Sequence, residues 1–315
     1  MGAASFVAGD WGTSHLRLFL CDAQEAVLDS SLGPGAAEVG GRFSEVFESL
    51  TARWEQPHGT LPAVLCGMVG SSIGWIQAPY VACPAIPEQI ADACVSLRGG
   101  RVHVVPGLSC RNRFNAPDFL RGEETQILGA LHLVPALRLG RWLVCLPGTH
   151  TKWAVLEDGS VREFLTAPTG ELFAVLCDHS VLVGKHRRVD TPIDASAFKE
   201  GLAHFNAFPQ AQLLHRLFEC RSRQLRGDLA APTAAAFLSG LLVASDVHGA
   251  LRVLSSAVET RSVYLIGSSE LTQLYADALA LHGYGASRVE GAAASLAGLA
   301  QVHRRLSQQV AAHDI

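Results

Sequence analysis

The sequence predicts an α/β protein made of two lobes. A chain of 315 residues is longer than one hydrophobic core usually serves, so two compact units are expected. Segments with strand and helix periodicity alternate along the chain, which is typical of sheets covered by helices. A strand, glycine turn, strand pattern occurs around DWGTS and again around PGTHT. Each lobe is therefore expected to begin with its own hairpin, with residues 1–135 in the first lobe and residues 136–315 in the second.

The first hairpin opens the chain. Apolar residues dominate residues 5–8 and 16–21, which predicts two short strands joined by the turn GDWGTSH, with Asp10 in the turn. Apolar residues spaced close to 3.6 apart predict an amphipathic helix over residues 43–54. A buried strand is predicted at residues 63–66, so the segment GMVGSSIGW follows the carboxyl end of a strand.

The same alternation continues towards the carboxyl terminus. Two apolar segments flank the second glycine turn, PGTHT, as they flank the first. The periodicity predicts strands at residues 102–105, 142–146, 152–156 and 262–266, and helices at residues 123–133, 198–205, 234–247, 271–281 and 292–304. A mixed sheet covered by helices in each lobe is the simplest architecture consistent with this order.

One uncharged segment has the length of a membrane span. Residues 61–87 carry no charge, and about 20 apolar residues suffice to cross a bilayer. Four prolines and three glycines interrupt the segment, however. We therefore expect a buried strand, a glycine turn and a loop there, and no association with a membrane.

The composition excludes several classes of function. The net charge is −4 and the 25 basic residues are scattered, so the basic patch of a nucleic-acid binder is missing. The eight cysteines form no C-x-x-C pair and no zinc spacing, which is typical of reduced thiols in a cytosolic protein. The amino-terminal residues lack the basic and apolar regions of a signal peptide. We expect a cytoplasmic protein with a small-molecule partner; homo-oligomerisation stays open.

The two glycine turns are candidates for binding phosphate. Backbone N–H groups approach phosphate oxygens closely where glycine carries no side chain. Asp10 could then hold hydrated Mg²⁺, which takes one or two carboxylates together with phosphate oxygens. The alternative is a purely structural turn in which Asp10 only forms the turn. The P-loop pattern and the dinucleotide-binding glycine pattern are both missing from the sequence, which excludes those two kinds of phosphate site.

Five segments carry a more specific signal: FVAGDWGTSHLRLFL, GMVGSSIGW, RGEETQILGA, PGTHTKW and TGEL. They resemble the signature segments of the 2-dehydro-3-deoxygalactonokinase family and occur in that family's order. RGEETQ together with PGTHTKW is the most diagnostic pair. FLSGLLVASDV and LIGSSELTQLY are similar but looser, so the resemblance covers nearly the whole chain.

The resemblance implies a two-lobed, actin/hexokinase-like (ribonuclease H-like) α/β fold with ATP in an interlobe cleft. It also implies transfer of the γ-phosphoryl group of ATP, with Mg²⁺, to the terminal hydroxyl of 2-dehydro-3-deoxy-D-galactonate in galactonate catabolism. The first phosphate motif and the acceptor loop would lie in the first lobe, and the second phosphate motif and the adenosine contact in the second. By the family pattern, the nucleotide contacts would be Asp10 with Gly12, Thr13 and Ser14, then Gly148 and Thr149, then Gly267 and Ser268.

Phosphorylation of a hydroxyl needs a carboxylate that accepts the hydroxyl proton during attack. In related folds this carboxylate opens the helix before the second phosphate hairpin, which here is the segment RGEETQ. Glu123 and Glu124 are the candidates, and Glu123 is preferred. The alternative is that both acids stabilise the helix amino terminus through the helix dipole.

Three basic side chains lie close to these motifs. Arg121 could pair with the substrate carboxylate, since a guanidinium fork suits a planar anion, or it could form a structural ion pair. Lys152 and His150 adjoin the second hairpin and are candidates for phosphate contact. Because Lys152 alternates with Trp153 on a strand, it could instead face solvent.

Acceptor contacts are predicted from two further segments. GMVGSSIGW offers backbone donors, serines and a tryptophan at the end of a strand, a mixture suited to a polyhydroxylated ligand. Ser71 and Trp75 are the candidates there, with core packing as the alternative for Trp75. Thr169 and Glu171 could contact the same ligand from the second lobe.

Other functions remain compatible with the sequence at this stage. A kinase for another sugar or sugar acid would use the same phosphate motifs, because fold and motifs do not fix the acceptor. A non-catalytic sugar-binding regulator, a filament-forming ATPase and a phosphatase are the alternatives from other classes. A regulator would normally carry a DNA-binding module, for which the sequence leaves no room before the first phosphate turn.

Overall fold

The computed structural model describes residues 2–183, 193–258 and 260–313. The strands are β1 Ala4–Trp11, β2 His15–Asp22, β3 Val27–Pro34, β4 Ala63–Gly67, β5 Tyr80–Ala82, β6 Val95–Leu97, β7 Val102–Val104, β8 Gly107–Arg111, β9 Pro117–Leu120, β10 Arg141–Leu146, β11 Thr151–Glu157, β12 Ser160–Ala167, β13 Ser262–Gly267 and β14 Gly285–Glu290. The helices are α1 Phe43–His58, α2 Pro87–Asp92, α3 Glu123–Leu133, α4 Thr169–His179, α5 Ala195–Ala207, α6 Leu213–Leu217, α7 Glu219–Arg226, α8 Ala234–Leu254, α9 Ser269–Leu281 and α10 Gly291–His313.

The chain divides into two compact units, each made of separate stretches of sequence. The first unit contains residues 1–140, 156–164 and 289–315, and the second contains residues 141–155 and 165–288. The expected single boundary near residue 135 stays a prediction. The carboxyl-terminal residues return to the first unit, because α10 packs along α3 and against β1.

The first unit is built on a six-stranded sheet of order β3-β2-β1-β4-β7-β6. The predicted opening hairpin is confirmed, since β1 and β2 pair antiparallel. The expected position of Asp10 in the turn is wrong: Asp10 lies within β1 and pairs with Arg17 of β2. The ladder extends to Trp11 because the Trp11 side chain is fully buried. Strands β4 and β7 then add parallel to β1.

The second sheet has the order β12-β11-β10-β13-β14. This is the same chain order as β3-β2-β1-β4-β7 of the first sheet, with β10 and β13 pairing parallel as β1 and β4 do. A sheet of one topology therefore occurs twice, each beginning with a strand, glycine turn, strand segment. The predicted α/β class, with a mixed sheet covered by helices in each of two units, is confirmed. The sequence did not predict the small third sheet, β5-β8-β9.

Each unit has its own hydrophobic core. In the first unit, apolar side chains of β1, β2 and β4 pack against α1, with Trp11, Phe43 and Phe47 fully or almost fully buried. In the second unit, apolar residues of β10, β11 and β13 pack around α8. Among the described residues, one helical stretch, residues 231–257, is long and apolar enough to cross a membrane, and most of it is buried, as expected of a core helix.

The uncharged segment at residues 61–87 does not form a membrane helix. It contains β4, a 3₁₀ turn over Met68–Gly70 and the short strand β5. The strand and turn are as expected, and β5 is an additional strand within the expected loop.

Helices α3 and α10 cross closely because small residues meet at the crossing. A Cβ at Gly129 would collide with the Ala294 carbonyl, and a Cβ at Gly298 would collide with the Thr125 carbonyl. Glycine at both positions therefore lets the two backbones touch. This crossing fixes the amino-terminal turn of α3, which carries Glu123 and Glu124, against the helix that carries Ser295.

Candidate active site

Asp10 is held at the carboxyl end of β1 by two neighbours. Its Oδ2 accepts a hydrogen bond from Arg17 Nη2 at 2.7 Å and another from Ser295 Oγ at 3.3 Å. Oδ1 lies beside Gly67, where an added Cβ would be 3.6 Å away. The carboxylate is thus oriented by β2 and α10 at the end of the sheet where β1 and β4 finish.

The donor set around Asp10 suits magnesium that is bound chiefly through phosphate. Among the described residues there is no group of three or more His, Cys, Asp or Glu side chains that could hold a metal alone. Mg²⁺ retains several waters and commonly uses one or two carboxylates plus phosphate oxygens. A single oriented carboxylate at Asp10 fits that pattern.

The first glycine turn spans Gly12 to Ser14, and the side chains of Thr13 and Ser14 are exposed. The turn is braced from one side, since Ala36 N donates to Gly12 O at 3.0 Å and Ala37 N donates to Thr13 O at 3.1 Å. An open depression of about 380 Å³ lies beside it, lined by Asp10, Gly12, Ser14, His15, Arg17 and Leu32. The structure therefore brings together Asp10 and two of the three predicted residues of the first phosphate motif.

Both candidate bases lie in the first turn of α3. The helix begins directly after Gly122, whose φ of +103° favours glycine. Glu123 is partly exposed, and its Oε2 accepts from Arg121 N at 3.0 Å. Glu124 is fully buried: Oε2 accepts from Gly122 N at 2.6 Å and Oε1 accepts from Thr125 Oγ1 at 3.0 Å. Burial, and next the charge of Glu123, raises the pKa of Glu124 to about 8.

Asp10 and the start of α3 are neighbours. A Cβ added to Gly122 would lie 3.5 Å from Gly67 Cα, and Gly67 in turn adjoins Asp10. The carboxylates of both Asp10 and Glu124 act on the buried Cys66 thiol: burial, followed by these two charges, raises its pKa well above the ordinary value. The structure therefore groups the predicted metal carboxylate with the predicted bases.

The buried Glu124 carboxyl should make stability depend on pH. Its pKa is about 8 when folded and near the ordinary 4.5 when unfolded. Between these values the folded state binds more protons than the unfolded state, so the free energy of unfolding falls as pH rises. The free energy of unfolding falls by at most about 1.4 kcal/mol per pH unit.

We expect Glu124→Gln to remove this part of the slope, because the amide can accept from Gly122 N and donate to Thr125 Oγ1 while remaining neutral. Urea unfolding at pH 5, 7 and 8.5 measures the free energy of unfolding of the variant and of the wild type. The variant should become increasingly more stable than the wild type as the pH rises. Glu88→Gln, at an exposed position in α2, should keep the wild-type slope. A difference that does not change with pH would contradict the assignment.

Arg121 lies immediately before α3 and is held over an aromatic ring. Its Nη2 donates to Ala78 O at 2.8 Å, and its guanidinium carbon lies 4.4 Å from the centre of the Tyr80 ring. Nε and Nη1 are buried and have no hydrogen-bond partner among the described residues. The alternative of a structural ion pair is not realised in the described part of the chain. Buried guanidinium donors without partners are costly, and Nη1 packs against Gly70, where an added Cβ would be 2.7 Å away, so an anion can reach these donors only if the local packing opens.

The two residues predicted from GMVGSSIGW have local packing roles. Ser71 Oγ donates to Met68 O at 2.8 Å and ends the 3₁₀ turn. The Trp75 ring is partly buried, and its centre lies 5.7 Å from that of Phe47. This contact favours the core-packing alternative for Trp75.

In the second unit the glycine turn between β10 and β11 is packed against the start of α4. A Cβ at Gly170 would be 2.5 Å from Gly148 O, and Glu171 N donates to Thr149 O at 2.9 Å. His150 Nε2 lies 2.7 Å from Glu171 Oε2, and both side chains are exposed. The turn from Gly148 to Thr151, which we call the second phosphate loop, is thus built on the first turn of α4.

The predicted adenosine turn adjoins the same loop. Gly267 ends β13, and an added Cβ there would be 3.6 Å from Pro147 O. Ser268 caps α9, with its side chain accepting from Leu271 N at 3.3 Å. The structure therefore brings the Gly148, Thr149, Gly267 and Ser268 candidates together within the second unit.

Two predicted ligand contacts have other partners in the structure. The alternation along the strand allowed Lys152 to face solvent, but the residue is buried. Its Nζ donates to Thr166 Oγ1 at 2.9 Å. Thr169 Oγ1 donates to Asp246 Oδ2 at 2.6 Å. Glu171 remains exposed, but its carboxylate contacts His150. The acceptor role of Thr169 and Glu171 therefore stays a prediction.

Sequence reasoning missed Tyr80, Asp246 and Tyr275. Tyr80 supports Arg121 from a strand of three residues, which is too short to show periodicity. Asp246 interrupts an apolar helix of 21 residues, and such a charge in a core helix was the signal that could have identified it. Tyr275 showed no separate signal, because its partner Asp246 lies 29 residues away.

Comparison with known proteins tests the family predicted from the motifs. The sequence profile of the family described as 2-keto-3-deoxy-galactonokinase matches residues 10–302. A "Probable 2-dehydro-3-deoxygalactonokinase" from Rhizobium meliloti (strain 1021) is 36% identical over 310 residues, which is 96% of this chain and 98% of the relative. The 2-dehydro-3-deoxygalactonokinase of Escherichia coli (strain K12) is 31% identical over 300 residues, covering 95% and 97% of the two chains.

A solved structure agrees with these sequence matches. The crystal structure of a "putative 2-dehydro-3-deoxygalactonokinase protein" from Sinorhizobium meliloti has a TM-score of 0.85 and 34% identity, covering 95% of this chain and 98% of that one. The assignment of the chain as a kinase is confirmed by this agreement of profile, relatives and fold. The chain belongs to the 2-keto-3-deoxy-galactonokinase family.

Proposed function

We propose that this protein is a cytoplasmic, ATP-dependent kinase that phosphorylates the terminal hydroxyl of 2-dehydro-3-deoxy-D-galactonate. The product is then 2-dehydro-3-deoxy-6-phosphogalactonate. Beyond family membership, the proposal depends on the hydrogen bonding of Arg121. Its buried Nε and Nη1 have no hydrogen-bond partner among the described residues, and Arg121 lies just before the helix that carries Glu123. A sugar acid supplies the anion that such a group requires, and a neutral sugar does not.

Arg121 is proposed to bind the carboxylate of the acceptor. Its position is fixed from two sides, by Tyr80 beneath the guanidinium and by the Ala78 carbonyl at Nη2. A rigid guanidinium loses little conformational freedom when it pairs with a planar carboxylate through two parallel hydrogen bonds. Backbone N–H of Arg121 donates to Glu123 Oε2, so the proposed anion site and the proposed base are directly connected.

Glu123 is proposed as the general base. A base must reach the hydroxyl whose proton it accepts, so accessibility is considered before pKa. Glu123 is partly exposed, whereas both carboxyl oxygens of Glu124 are buried and bonded to its own helix start. Glu123 would take the proton as the hydroxyl oxygen attacks the γ-phosphorus, and ADP would leave with the β–γ bridging oxygen.

Asp10 is proposed to hold magnesium, with Arg17 and Ser295 orienting its carboxylate. When bound with ATP, the ion would neutralise charge on the phosphate oxygens. Gly12 N donates to His15 O at 2.9 Å and so shapes the turn beside Asp10, and the backbone N–H groups and hydroxyls of Thr13 and Ser14 are proposed to contact phosphate oxygens.

The second unit is proposed to contribute the remaining nucleotide contacts. Gly148 and Thr149 of the second phosphate loop would donate backbone N–H groups to phosphate. Gly267 and Ser268 precede α9, a helix of 13 residues, and would contact the adenosine part. His150 and Lys152 remain candidates for phosphate contact, with His150 exposed and Lys152 buried.

Coupled ADP release with a panel of acceptors tests the proposal. The panel contains 2-dehydro-3-deoxy-D-galactonate, its C4 epimer, a sugar acid without the 2-keto group and neutral galactose. The proposal predicts the highest kcat/KM for 2-dehydro-3-deoxy-D-galactonate. A higher kcat/KM for another acid would assign the enzyme to that acid, and phosphate release without any acceptor would indicate a phosphatase.

Replacing Arg121 should weaken acceptor binding selectively. Arg121→Lys keeps the charge but removes the planar pair of donors, so we expect KM for the acid to rise roughly tenfold to a hundredfold. KM for ATP should remain near its wild-type value in steady-state assays. Arg111→Lys, at an exposed end of β8, is the matched control and should leave both constants unchanged. A parallel rise of both KM values after Arg121→Lys would contradict the carboxylate role.

A further inference from the structure

Four side chains of the second unit surround the carboxylate of Asp246. Together with Asp246 we call them the Asp246 cluster: Thr151, Trp153, Thr169, Asp246 and Tyr275. Asp246 Oδ1 accepts from Trp153 Nε1 at 2.9 Å. Its Oδ2 accepts from Thr169 Oγ1 at 2.6 Å and from the Tyr275 hydroxyl at 2.6 Å. The Thr151 hydroxyl lies 2.7 Å from the Tyr275 hydroxyl and donates to it, because the single Tyr275 proton is directed at Asp246.

The cluster joins elements that are distant in sequence. Asp246 projects from α8 in the core of the second unit, while Tyr275 belongs to α9. Trp153 and Thr151 belong to β11, and Thr169 is the first residue of α4. Thr151 and Tyr275 are fully or almost fully buried, so their hydroxyls depend on these partners.

Two of these connections end on the second phosphate loop. Thr151 is the last residue of the loop and the first of β11. Thr169 fixes the start of α4, where Gly170 touches Gly148 O and Glu171 N donates to Thr149 O. The loop is thus held at its end by Thr151 and along its length by the start of α4. Thr151 is linked to Asp246 through Tyr275, and Thr169 at the start of α4 bonds to Asp246 directly.

An ionised carboxylate suits this position because it only accepts hydrogen bonds and can accept several at once. Hydrogen bonds to a charged acceptor are about twice as strong as those between neutral groups. Burial raises the pKa of Asp246, while the hydrogen bonds from Thr169, Tyr275 and Trp153 act in the opposite direction. Groups that bind phosphate through backbone N–H must be held in place before the ligand arrives, so rigid support of the loop serves binding.

We infer that Asp246 is a positioning residue that fixes the second phosphate loop in the geometry needed to bind nucleotide phosphate. This inference rests on the proposed function, because it takes that loop as a phosphate contact. Asp246 itself is not placed against nucleotide; it acts through Thr151 and through Thr169 at the start of α4.

A pair of substitutions at Thr169 tests the inference. Thr169→Val keeps the shape but removes the hydroxyl that bonds to Asp246, whereas Thr169→Ser retains a hydroxyl. We expect the Kd for a magnesium complex of a non-hydrolysable ATP analogue to rise about tenfold in Thr169→Val, which is the effect of losing one charge-assisted hydrogen bond. Thr169→Ser should restore near wild-type affinity. KM for the acid acceptor should stay constant in both variants.

Tyr275→Phe provides the second variant, since it breaks the path from Asp246 to Thr151 on a different element. It should raise the same Kd by a similar factor and leave acceptor KM unchanged. Tyr264→Phe, in β13 and outside the cluster, is the control and should bind the analogue as wild type does. Circular dichroism on the full chain confirms that each variant is folded before titration calorimetry.

Unchanged analogue affinity in both folded Thr169→Val and folded Tyr275→Phe would overturn the inference. It would also be overturned by a selective rise of acceptor KM in Thr169→Val, which would assign Thr169 to the acceptor instead. Failure of the proposed function is seen separately, as wild-type protein that binds the analogue but transfers no phosphoryl group to the acid.

Discussion

Asp10→Asn should lower kcat by roughly three orders of magnitude or more, because neutralisation of charge on the transferring phosphoryl group dominates this chemistry. The amide keeps the shape of the carboxylate and can still accept hydrogen bonds from Arg17 and Ser295. The fold should therefore persist, since the Arg17 side chain is 40% exposed and solvent can compensate for the loss of its charged partner. Steady-state ADP release at saturating ATP and acceptor measures the effect.

Asp92→Asn is the matched control for Asp10→Asn. Asp92 also pairs with an arginine of the first unit, Arg305 at 2.9 Å, but it lies at the end of α2, away from the strand ends. Its kcat should remain within about twofold of wild type, because an exposed ion pair contributes little. Near-normal turnover in a folded Asp10→Asn protein would remove Asp10 from the active site.

Glu123→Gln should lower kcat by about 10² to 10⁴-fold, the usual contribution of a general base. Binding of ATP should be unaffected, because the substitution does not alter charge on the phosphate-binding turns. The amide can still accept from Arg121 N, so the start of α3 should keep its conformation. Single-turnover rates at several pH values measure the loss directly.

Glu124→Gln distinguishes the role of Glu124 from that of Glu123. Its carboxyl is buried and bonded to Gly122 N and Thr125 Oγ1, so the substitution should alter the pH dependence of stability far more than turnover. If Glu124→Gln shows the large loss of kcat and Glu123→Gln does not, the roles of the two residues are exchanged.

The sequence predicted those elements whose signal is local. The hairpin of β1 and β2 and helix α1 were found because their apolar periodicity is complete within a few turns or residues, and helix α3 was found because Pro135 marks its end. Strand β3 was missed because its sequence, VLDSSLGP, does not alternate apolar with polar residues and none of its residues is buried. Strand β14 was missed for the same reason, with one buried residue among six.

The division into units could not be read from local sequence. The final helix was predicted, but its return to the first unit depends on the close crossing of α10 with α3 at Gly129 and Gly298. Glycines within a helix are ordinarily unfavourable, and only the partner helix explains them. The apolar periodicity of a segment does not show which segment more than 160 residues away it contacts.

The candidate site was predicted in part. Asp10, Arg121 and the two glutamates were found because each lies in a motif of the family pattern, and the structure groups them within the first unit. Tyr80, Asp246 and Tyr275 act through partners that are remote in sequence, so spacing could not identify them. Thr169 was expected to contact the acceptor, whereas its hydroxyl bonds to Asp246.

The identity of the phosphorylated product tests the central claim most directly. Purified protein is incubated with ATP, Mg²⁺ and 2-dehydro-3-deoxy-D-galactonate, and the product is examined by ³¹P nuclear magnetic resonance and mass spectrometry. The account predicts one phosphomonoester whose phosphorus couples to the two protons on C6, formed in step with ADP. Inorganic phosphate released from ATP while the acid remains unmodified, or equal phosphorylation of neutral galactose, would contradict the assignment of this protein as a sugar-acid kinase.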